Sequence, residues 1–242
     1  MIVLAHLSDT HFDGHDRSGA RGRQVMDYLN NLPGRVDAVV VTGDITNSGL
    51  PLEHEQAAKV LTSALPVYTC PGNHDGYTPY EWPLNQMHDL GEAVLLLADS
   101  VILGRDDGGL AEETLEWLAS SLKAAQKPAL IGFHHPPVTL HHELIDNINL
   151  AQSSQDRLTA LIDEHPNVMA ILCGHAHTAA AATFAGRPVL VAPGVTSTLC
   201  LPWEVGGDLA WKNTIDYGQP PGLAFHIIDG TRITTHFRFL PD

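Results

Sequence analysis

The chain has 242 residues and a formal net charge of −15, from 13 Lys and Arg against 28 Asp and Glu. No run rich in Lys or Arg occurs, which argues against stable nucleic-acid binding and against an anionic membrane surface. No apolar stretch reaches the roughly 18 residues of a transmembrane helix. The length suits a single domain over 1–242.

Two features bear on compartment and chemistry. Cys70, Cys173 and Cys200 are an odd number without a C-x-x-C pair, so we expect reduced thiols and a cytoplasmic location. The first residues, "MIVLAHLSDTH", read as a strand and lack the basic region of a signal peptide. The 15 histidines suggest that anions are handled by metal ions rather than by Arg and Lys.

Short apolar runs alternate with helical patterns along the chain. Strands are predicted, in chain order, at 2–9, 36–44, 67–75, 93–100, 100–104, 128–138, 168–177, 187–195 and 223–240. Helices are predicted at 21–32, 53–64, 112–125 and 155–165. The last strand segment contains Asp229-Gly230, a hairpin signal.

The order of these elements predicts the fold class. The early βαβ units favour a parallel sheet, and the consecutive late strands favour antiparallel pairing. We therefore predict one α/β domain with layered sheets and helices outside. Residues 196–222 show no clean period and are predicted to form an active-site loop or small cap.

Polar residues recur at the downstream ends of five apolar runs. Ligands bind outside the carboxyl ends of strands in open α/β sheets, so these five ends are expected to converge. A single histidine after a strand is an ordinary loop residue, but five such motifs together indicate one site. Its members are Asp9, His11, Asp44, Asn73, His74, His134, His135, His175 and His177.

These residue types indicate a metal centre. Imidazole and carboxylate groups without thiolates suit Mn, Fe, Co or Zn better than Ca. Two metals roughly 3.5–4 Å apart can hold both the attacking and the leaving oxygen of a displacement at phosphorus. A ligand shared by both must be bidentate, and Asp44 is the natural bridge.

The motif series "DTH … GD … GNHD … HHPP … GHAH" resembles the calcineurin-like metallophosphoesterases, whose blocks run in this order. The resemblance extends from residue 4 to about 195. Three further stretches, "AHLSDTHF", "GGLAEETLEWL" and "RLTALIDEHPNV", are most similar to bacterial class III cyclic-nucleotide phosphodiesterases and glycerophosphodiesterases. The resemblance implies a four-layer α/β/β/α sandwich with two mixed sheets.

The resemblance also implies a role for each matching residue. The first metal ion would be held by Asp9, His11 and His177, and the second by Asn73, His134 and His175. Asp44 would bridge the two ions together with a hydroxide that acts as the nucleophile. His74 would bind the substrate with Asn73, orient the phosphate and donate a proton to the leaving oxygen. Mn or Fe is favoured, with Zn or Co as alternatives.

The activity implied is hydrolysis of small phosphodiesters, either cyclic nucleotides such as 3',5'-cAMP or glycerophosphodiesters. A phosphomonoesterase or nucleotide pyrophosphatase on the same fold is an alternative. A non-catalytic scaffold is disfavoured because the implied ligand set has no gap. A homo-oligomer is left open.

Some assignments stay open at the sequence level. The pattern His-x-Pro-Pro favours His134 over His135 as the ligand. Asp75 is expected either to orient His74 or to cap the next segment, and Asn47 to bind a ligand or to cap. Other residues with a candidate substrate contact are His141, His142, Trp203, Trp211 and Tyr217.

Overall fold

A computed structural model describes residues 1–76, 84–206 and 209–241. The strands are β1 (Ile2–Leu7), β2 (Ala38–Thr42), β3 (Val67–Cys70), β4 (Gln86–Asp89), β5 (Val94–Leu97), β6 (Ala129–Gly132), β7 (Val168–Cys173), β8 (Ala180–Phe184), β9 (Arg187–Val191), β10 (Thr198–Leu199), β11 (Ile215–Asp216), β12 (Gly222–Asp229) and β13 (Arg232–Phe239). The helices are α1 (Asp16–Asn30), α2 (Pro51–Val60), α3 (Glu112–Ala125), α4 (Glu143–Asp146), α5 (Gln152–Glu164) and α6 (Trp211–Thr214). Within these ranges, none of the helices combines the length and apolarity of a bilayer span.

Two mixed sheets form the body of the fold. The first has the strand order β13-β12-β1-β2-β3, with β1, β2 and β3 parallel and the β12–β13 hairpin antiparallel beside them. The second has the order β4-β5-β6-β7-β9-β8, with antiparallel strands at both edges. A small separate pair, β10 and β11, lies in the 196–222 segment.

Three apolar layers hold the sheets and helices together. Leu4 and Val40 of the first sheet are fully buried in one cluster with Leu95, Leu130 and Leu172 of the second. A second cluster buries the first sheet against α1 and α2, and a third buries the second sheet against α3 and α5. Each such side chain contributes about 1.5–3 kcal/mol on burial. The α/β/β/α sandwich with two mixed sheets is thereby confirmed.

The structure corrects several predicted elements. The strand predicted at 100–104 is wrong, because Arg105 N donates to Ile102 O in a turn and Gly104 takes a φ of +75°. Only Val101 pairs there, in an isolated bridge. Helix α1 begins at Asp16 instead of residue 21, since its polar first turn hides the apolar period. Missed elements are β4, β8, α4, and the short β10, α6 and β11 within 196–222.

A buried chain of side chains joins the strands of the first sheet. His6 Nε2 lies 2.9 Å from Thr42 Oγ1, and His6 Nδ1 lies 2.9 Å from His226 Nε2. The chain ends at Thr235 Oγ1, 2.9 Å from His226 Nδ1. Burial lowers the pKa of His226 to about 3. The pKa of His6 is also lowered, first by burial and then by the neighbouring His226. Both imidazoles are therefore neutral in the folded protein at neutral pH.

From the two neutral, buried imidazoles of His6 and His226 we predict that the protein loses stability in acid. Above pH 6.5, the ordinary pKa of histidine, His226 is neutral in both the folded and the unfolded protein. Between pH 6.5 and about 3, His226 is protonated in the unfolded protein but not in the folded one, so the free energy of unfolding falls as the pH is lowered. Each such imidazole contributes about 1.4 kcal/mol per pH unit in that window. We expect the free energy of unfolding, measured by urea denaturation at several pH values from 7 to 5, to change less steeply with pH in His226→Gln than in the wild type. His236→Gln, on an exposed position of β13, should keep the wild-type slope; equal slopes in both variants would contradict the assignment.

Candidate metal centre

The loops that follow β1, β2, β3, β6 and β7 meet at one edge of the two sheets. Across the first sheet, Asp9 N donates to Gly43 O at 3.1 Å and His11 N to Asp44 O at 2.9 Å. Across the two sheets, the His175 amide lies 3.1 Å from both carboxylate oxygens of Asp9. The predicted convergence of the five strand ends is therefore observed in the structure.

The backbone at this edge is unusual. Eight described non-glycine residues have a left-handed φ, and five of them are candidate ligands: Asp9, His11, Asp44, His175 and His177. Such conformations cost of order 1–3 kcal/mol each and persist where the surroundings enforce them. Asp and His tolerate this region better than most residues. The turns thus direct several side chains into one small volume at a cost in stability.

Two glycines explain why the motifs read Gly-Asp and Gly-Asn. A Cβ at Gly72 would lie 2.3 Å from both the amide nitrogen and Oδ1 of Asp44. Gly43 has a φ of +86°, and a Cβ there would lie 2.6 Å from His134 Nδ1. Both positions need a residue without a side chain because the loops pass in direct contact.

The first cluster contains Asp9, His11 and His177. The Nε2 atoms of His11 and His177 lie 3.1 Å apart, and His177 Nε2 lies 3.6 Å from Asp9 Oδ1. Ser197 Oγ lies 2.8 Å from His177 Nδ1 and fixes that ring with Nε2 facing the cluster. Burial lowers the pKa of His11 to about 3, which keeps it in the neutral form that binds metal.

The second cluster contains His134, His175 and Asn73. His134 Nδ1 donates to Thr42 O at 2.7 Å, and its Nε2 lies 3.1 Å from His175 Nδ1. Asn73 Oδ1 is buried and has no hydrogen-bond partner among the residues that the structure describes. Buried polar atoms are seldom unpartnered, and a bound ion is one common reason. The donor set therefore fits a cation at this position.

Asp44 lies between the two clusters. Its Oδ2 lies 3.4 Å from His11 Nε2 and 3.2 Å from His134 Nε2, and its Oδ1 accepts the His74 amide at 2.9 Å. Burial favours the neutral carboxyl, but His134 outweighs it and holds the pKa of Asp44 well below its ordinary value. Burial likewise opposes charge on His134, and Asp44 raises the pKa of that imidazole to about 9. Asp44 is thus a buried carboxylate in reach of both clusters.

His134 and His135 have different surroundings. Both ring nitrogens of His135 are engaged, Nδ1 with Ser100 Oγ at 2.8 Å and Nε2 with Asp106 O at 3.2 Å. His134 has one nitrogen on a backbone carbonyl and the other facing Asp44. The geometry therefore favours His134 as the ligand, as the His-x-Pro-Pro pattern does.

His74 is exposed at the edge of the clusters. Its Nδ1 lies 2.8 Å from Asn47 O, which leaves Nε2 available. Burial opposes the protonated form, but Asp44 and the Asn47 carbonyl outweigh it and raise the pKa of His74. One ligand atom each of His11, Asp44 and His74 also lies within 4.8 Å of the others.

Asp75 accepts hydrogen bonds from two loops, and the segment that it was expected to cap lies outside the described residues. Its Oδ1 accepts the Thr46 amide at 2.7 Å and the Thr46 hydroxyl at 2.9 Å, and its Oδ2 accepts the Gly72 amide at 2.8 Å. Burial, reinforced by the Asp44 charge, raises the pKa of Asp75 to about 6. This carboxyl ties the loop after β2 to the loop after β3.

A cavity of about 720 Å³ opens onto the clusters. His11, Asn73, His74, His175 and His177 line its floor, and Asn47 also lines it. Asn47 Nδ2 bonds Ser48 Oγ at 3.2 Å. Among the described residues, Trp211 and Tyr217 line the cavity, whereas Trp203, His141 and His142 do not.

Sequence reasoning missed two residues that orient the clusters. Ser197 orients His177, and the Thr42 carbonyl orients His134. A single serine in a loop and the last residue of a buried strand carry no pattern that distinguishes them from ordinary neighbours.

Comparison with known proteins identifies the fold and the motif series. Residues 2–179, which contain all seven candidate ligands, match the family described as calcineurin-like phosphoesterase. The chain belongs to the calcineurin-like phosphoesterase family. The prediction of an enzyme is confirmed with it, since this family is hydrolytic and uses divalent metals.

Curated relatives and solved structures agree with this membership. The chain is 36% identical to glycerophosphodiester phosphodiesterase GpdQ of Enterobacter lignolyticus over 73% of this chain and 71% of that protein. It is 32% identical to the 3',5'-cyclic-nucleotide phosphodiesterase alr5338 of Nostoc, again over 73% and 71%. It shares its fold with yellow lupin purple acid phosphatase PPD1, at 13% identity and a TM-score of 0.66 over 98% of this chain and 51% of that one.

Proposed function

We propose that the protein is a binuclear metal-dependent phosphodiesterase acting on small phosphodiesters. The observation that carries this is the position of Asp44 Oδ2, within 3.4 Å of His11 in one cluster and 3.2 Å of His134 in the other. Asp9, His11 and His177 would hold the first ion, and Asn73, His134 and His175 the second. Mn or Fe is the favoured metal, with Zn or Co as alternatives.

The charge balance favours an anionic substrate. When bound, two divalent ions supply a water that ionises near neutral pH and positive charge for the developing oxyanion. The four positive charges of the ions exceed the two negative charges of Asp9 and Asp44, because Asn73 is neutral and a histidine, His134 included, binds metal only after it has lost its extra proton. The site attracts a phosphodiester despite a net charge of −15 on the whole chain.

His74 is the proposed general acid. Its Nδ1–H donates to Asn47 O at 2.8 Å, which fixes the ring and leaves Nε2 to carry the transferable proton toward the cavity. Asn73, its neighbour, would face the same phosphate. The raised pKa of His74 keeps the protonated form present to higher pH.

The relatives support two substrate classes. One relative is named a glycerophosphodiester phosphodiesterase, and another a 3',5'-cyclic-nucleotide phosphodiesterase. We propose that this protein hydrolyses substrates of one or both of these classes. Three free cysteines fit the cytoplasm as location. We further propose one domain over 1–242, in which residues 196–222 supply part of the substrate pocket.

The decisive experiment is metal analysis followed by a substrate panel on one preparation. We expect about two metal ions per chain and hydrolysis of bis(p-nitrophenyl) phosphate, 3',5'-cAMP or a glycerophosphodiester. A metal-replete sample inactive on every phosphodiester would overturn the proposal. Faster hydrolysis of p-nitrophenyl phosphate or ADP-ribose would instead support the phosphomonoesterase or pyrophosphatase alternative.

Asn73→Ala tests the second ion. The substitution removes the buried Oδ1, which has no partner among the described residues, so affinity for the second ion should fall by at least the roughly 10–100-fold seen when a residue supporting a ligand is lost, while the fold persists. Metal content after dialysis, far-ultraviolet circular dichroism and activity at saturating Mn²⁺ measure this. Asn167→Ala, away from the clusters at the start of β7, is the matched control. Unchanged metal content in Asn73→Ala contradicts the ligand role.

A further inference from the structure

One wall of the cavity is aromatic. Trp211, Ile215 and Tyr217 form this wall of the cavity. The exposed fraction is 43% for Trp211 and 52% for Tyr217. Large aromatic faces open to solvent inside a cavity are apolar surface that a ligand can cover. None of these residues belongs to the clusters described above.

The wall is held in place by backbone pairing. Leu199 of β10 pairs with Ile215 of β11, and Cys200 N donates to Thr214 O at 2.8 Å. Arg21 Nη2 donates to Gln219 O at 2.7 Å just beyond Tyr217. These bonds hold the backbone on both sides of Tyr217.

Arg17 connects Tyr217 to the first cluster. Its guanidinium carbon lies 4.1 Å from the Tyr217 ring centroid, and its Nη1 donates to Thr196 O at 3.2 Å. Thr196 N in turn donates to Asp9 O at 3.0 Å. A cation on one face of Tyr217 fixes the ring relative to the proposed first metal.

The lining charges argue against a second anion on the substrate. Arg17 is the one Lys or Arg among the described lining residues, and Asp13 and Asp106 line the same cavity. A substrate with one negative charge, carried by the scissile phosphodiester, suits this balance. What remains to be recognised is then an uncharged group.

We propose that Trp211 and Tyr217, with Arg17 fixing Tyr217, form a subsite for a planar ring on one ester group of the phosphodiester, a nucleobase first of all. The proposal rests on the proposed function and selects the nucleotide class within it. Base stacking on aromatic side chains is strong and tolerant of base identity. A glycerophosphodiester such as sn-glycero-3-phosphoethanolamine has no planar ring to stack and gains nothing from this wall.

The test compares kcat/KM for 3',5'-cAMP and sn-glycero-3-phosphoethanolamine in metal-loaded protein. Trp211→Ala and Tyr217→Ala should each lower the value for cyclic AMP about tenfold and change that for the glycerophosphodiester less than about twofold. Trp211→Phe should restore most of the cyclic AMP activity. Trp203→Ala removes a tryptophan that is 71% exposed outside the cavity and should change neither value.

A binding measurement separates this proposal from catalysis. Calorimetric titration with the slowly hydrolysed Rp phosphorothioate of cyclic AMP should show about tenfold weaker binding to Trp211→Ala than to Trp203→Ala. Equal affinities, or equal losses on both substrates in kinetics, would overturn the subsite. Wild-type protein that hydrolyses the glycerophosphodiester but neither binds the analogue nor hydrolyses cyclic AMP would overturn the subsite and leave the proposed function standing.

Discussion

Asp44→Asn is expected to lower kcat/KM on every phosphodiester by about a thousandfold. The substitution keeps the size of the side chain but removes a negative charge that lies 3.4 Å from His11 in the first cluster and 3.2 Å from His134 in the second. A metal's stabilisation of a transition state is worth several kcal/mol, and each 1.4 kcal/mol is about tenfold in rate. We also expect purified Asp44→Asn protein to contain less metal per chain than the wild type.

Metal analysis and steady-state kinetics on the same sample check this prediction. Asp163→Asn makes the same chemical change at an exposed position of α5 and should leave both quantities unchanged. Far-ultraviolet circular dichroism excludes unfolding as the cause. If Asp44→Asn kept full metal content and lost less than about tenfold in rate, Asp44 would not bridge two ions.

The layered fold could be predicted because its pattern is local. Runs such as "VDAVVV" and "VMAILC" are buried on both faces, and α3 shows an apolar stripe of Leu115, Leu118 and Leu122. The candidate ligands were identified for the same reason, since each directly follows an apolar run. The predicted strand at 100–104 failed because a β-like composition does not reveal the turn at Gly104.

Other features depend on contacts between distant segments. Which of His134 and His135 faces Asp44 is set by Ser100 and Asp106, about thirty residues earlier in the chain. Asp75 bonds Thr46 across two loops, so no local motif reveals its role. The sequence assigns Arg17 to no site, yet its guanidinium stacks on the ring of Tyr217, a residue far away in the sequence. Sequence periodicity carries no information on such pairs.

His74→Ala is expected to lower kcat by about 10²–10⁴-fold on substrates with an alkoxide leaving group. The loss should be much smaller for bis(p-nitrophenyl) phosphate, whose leaving group departs without a proton. Because His74 acts in its protonated form, activity should fall as pH rises through its pKa, which Asp44 and the Asn47 carbonyl raise against the effect of burial. The pH profile of kcat in His74→Ala should therefore lose its alkaline limb.

Metal content distinguishes an acid from a ligand at this position. The ring of His74 lies 4.7 Å from that of His11, edge to face, and one of its nitrogens is within 4.8 Å of ligand atoms of His11 and Asp44. If His74 is the acid, His74→Ala keeps its metal and loses turnover selectively on poor leaving groups. His15→Ala, at an exposed position in the loop before α1, should match wild type in both measurements. Loss of one metal ion with equal losses on all substrates would instead place His74 among the ligands, because a missing ligand weakens the centre itself and not one proton transfer.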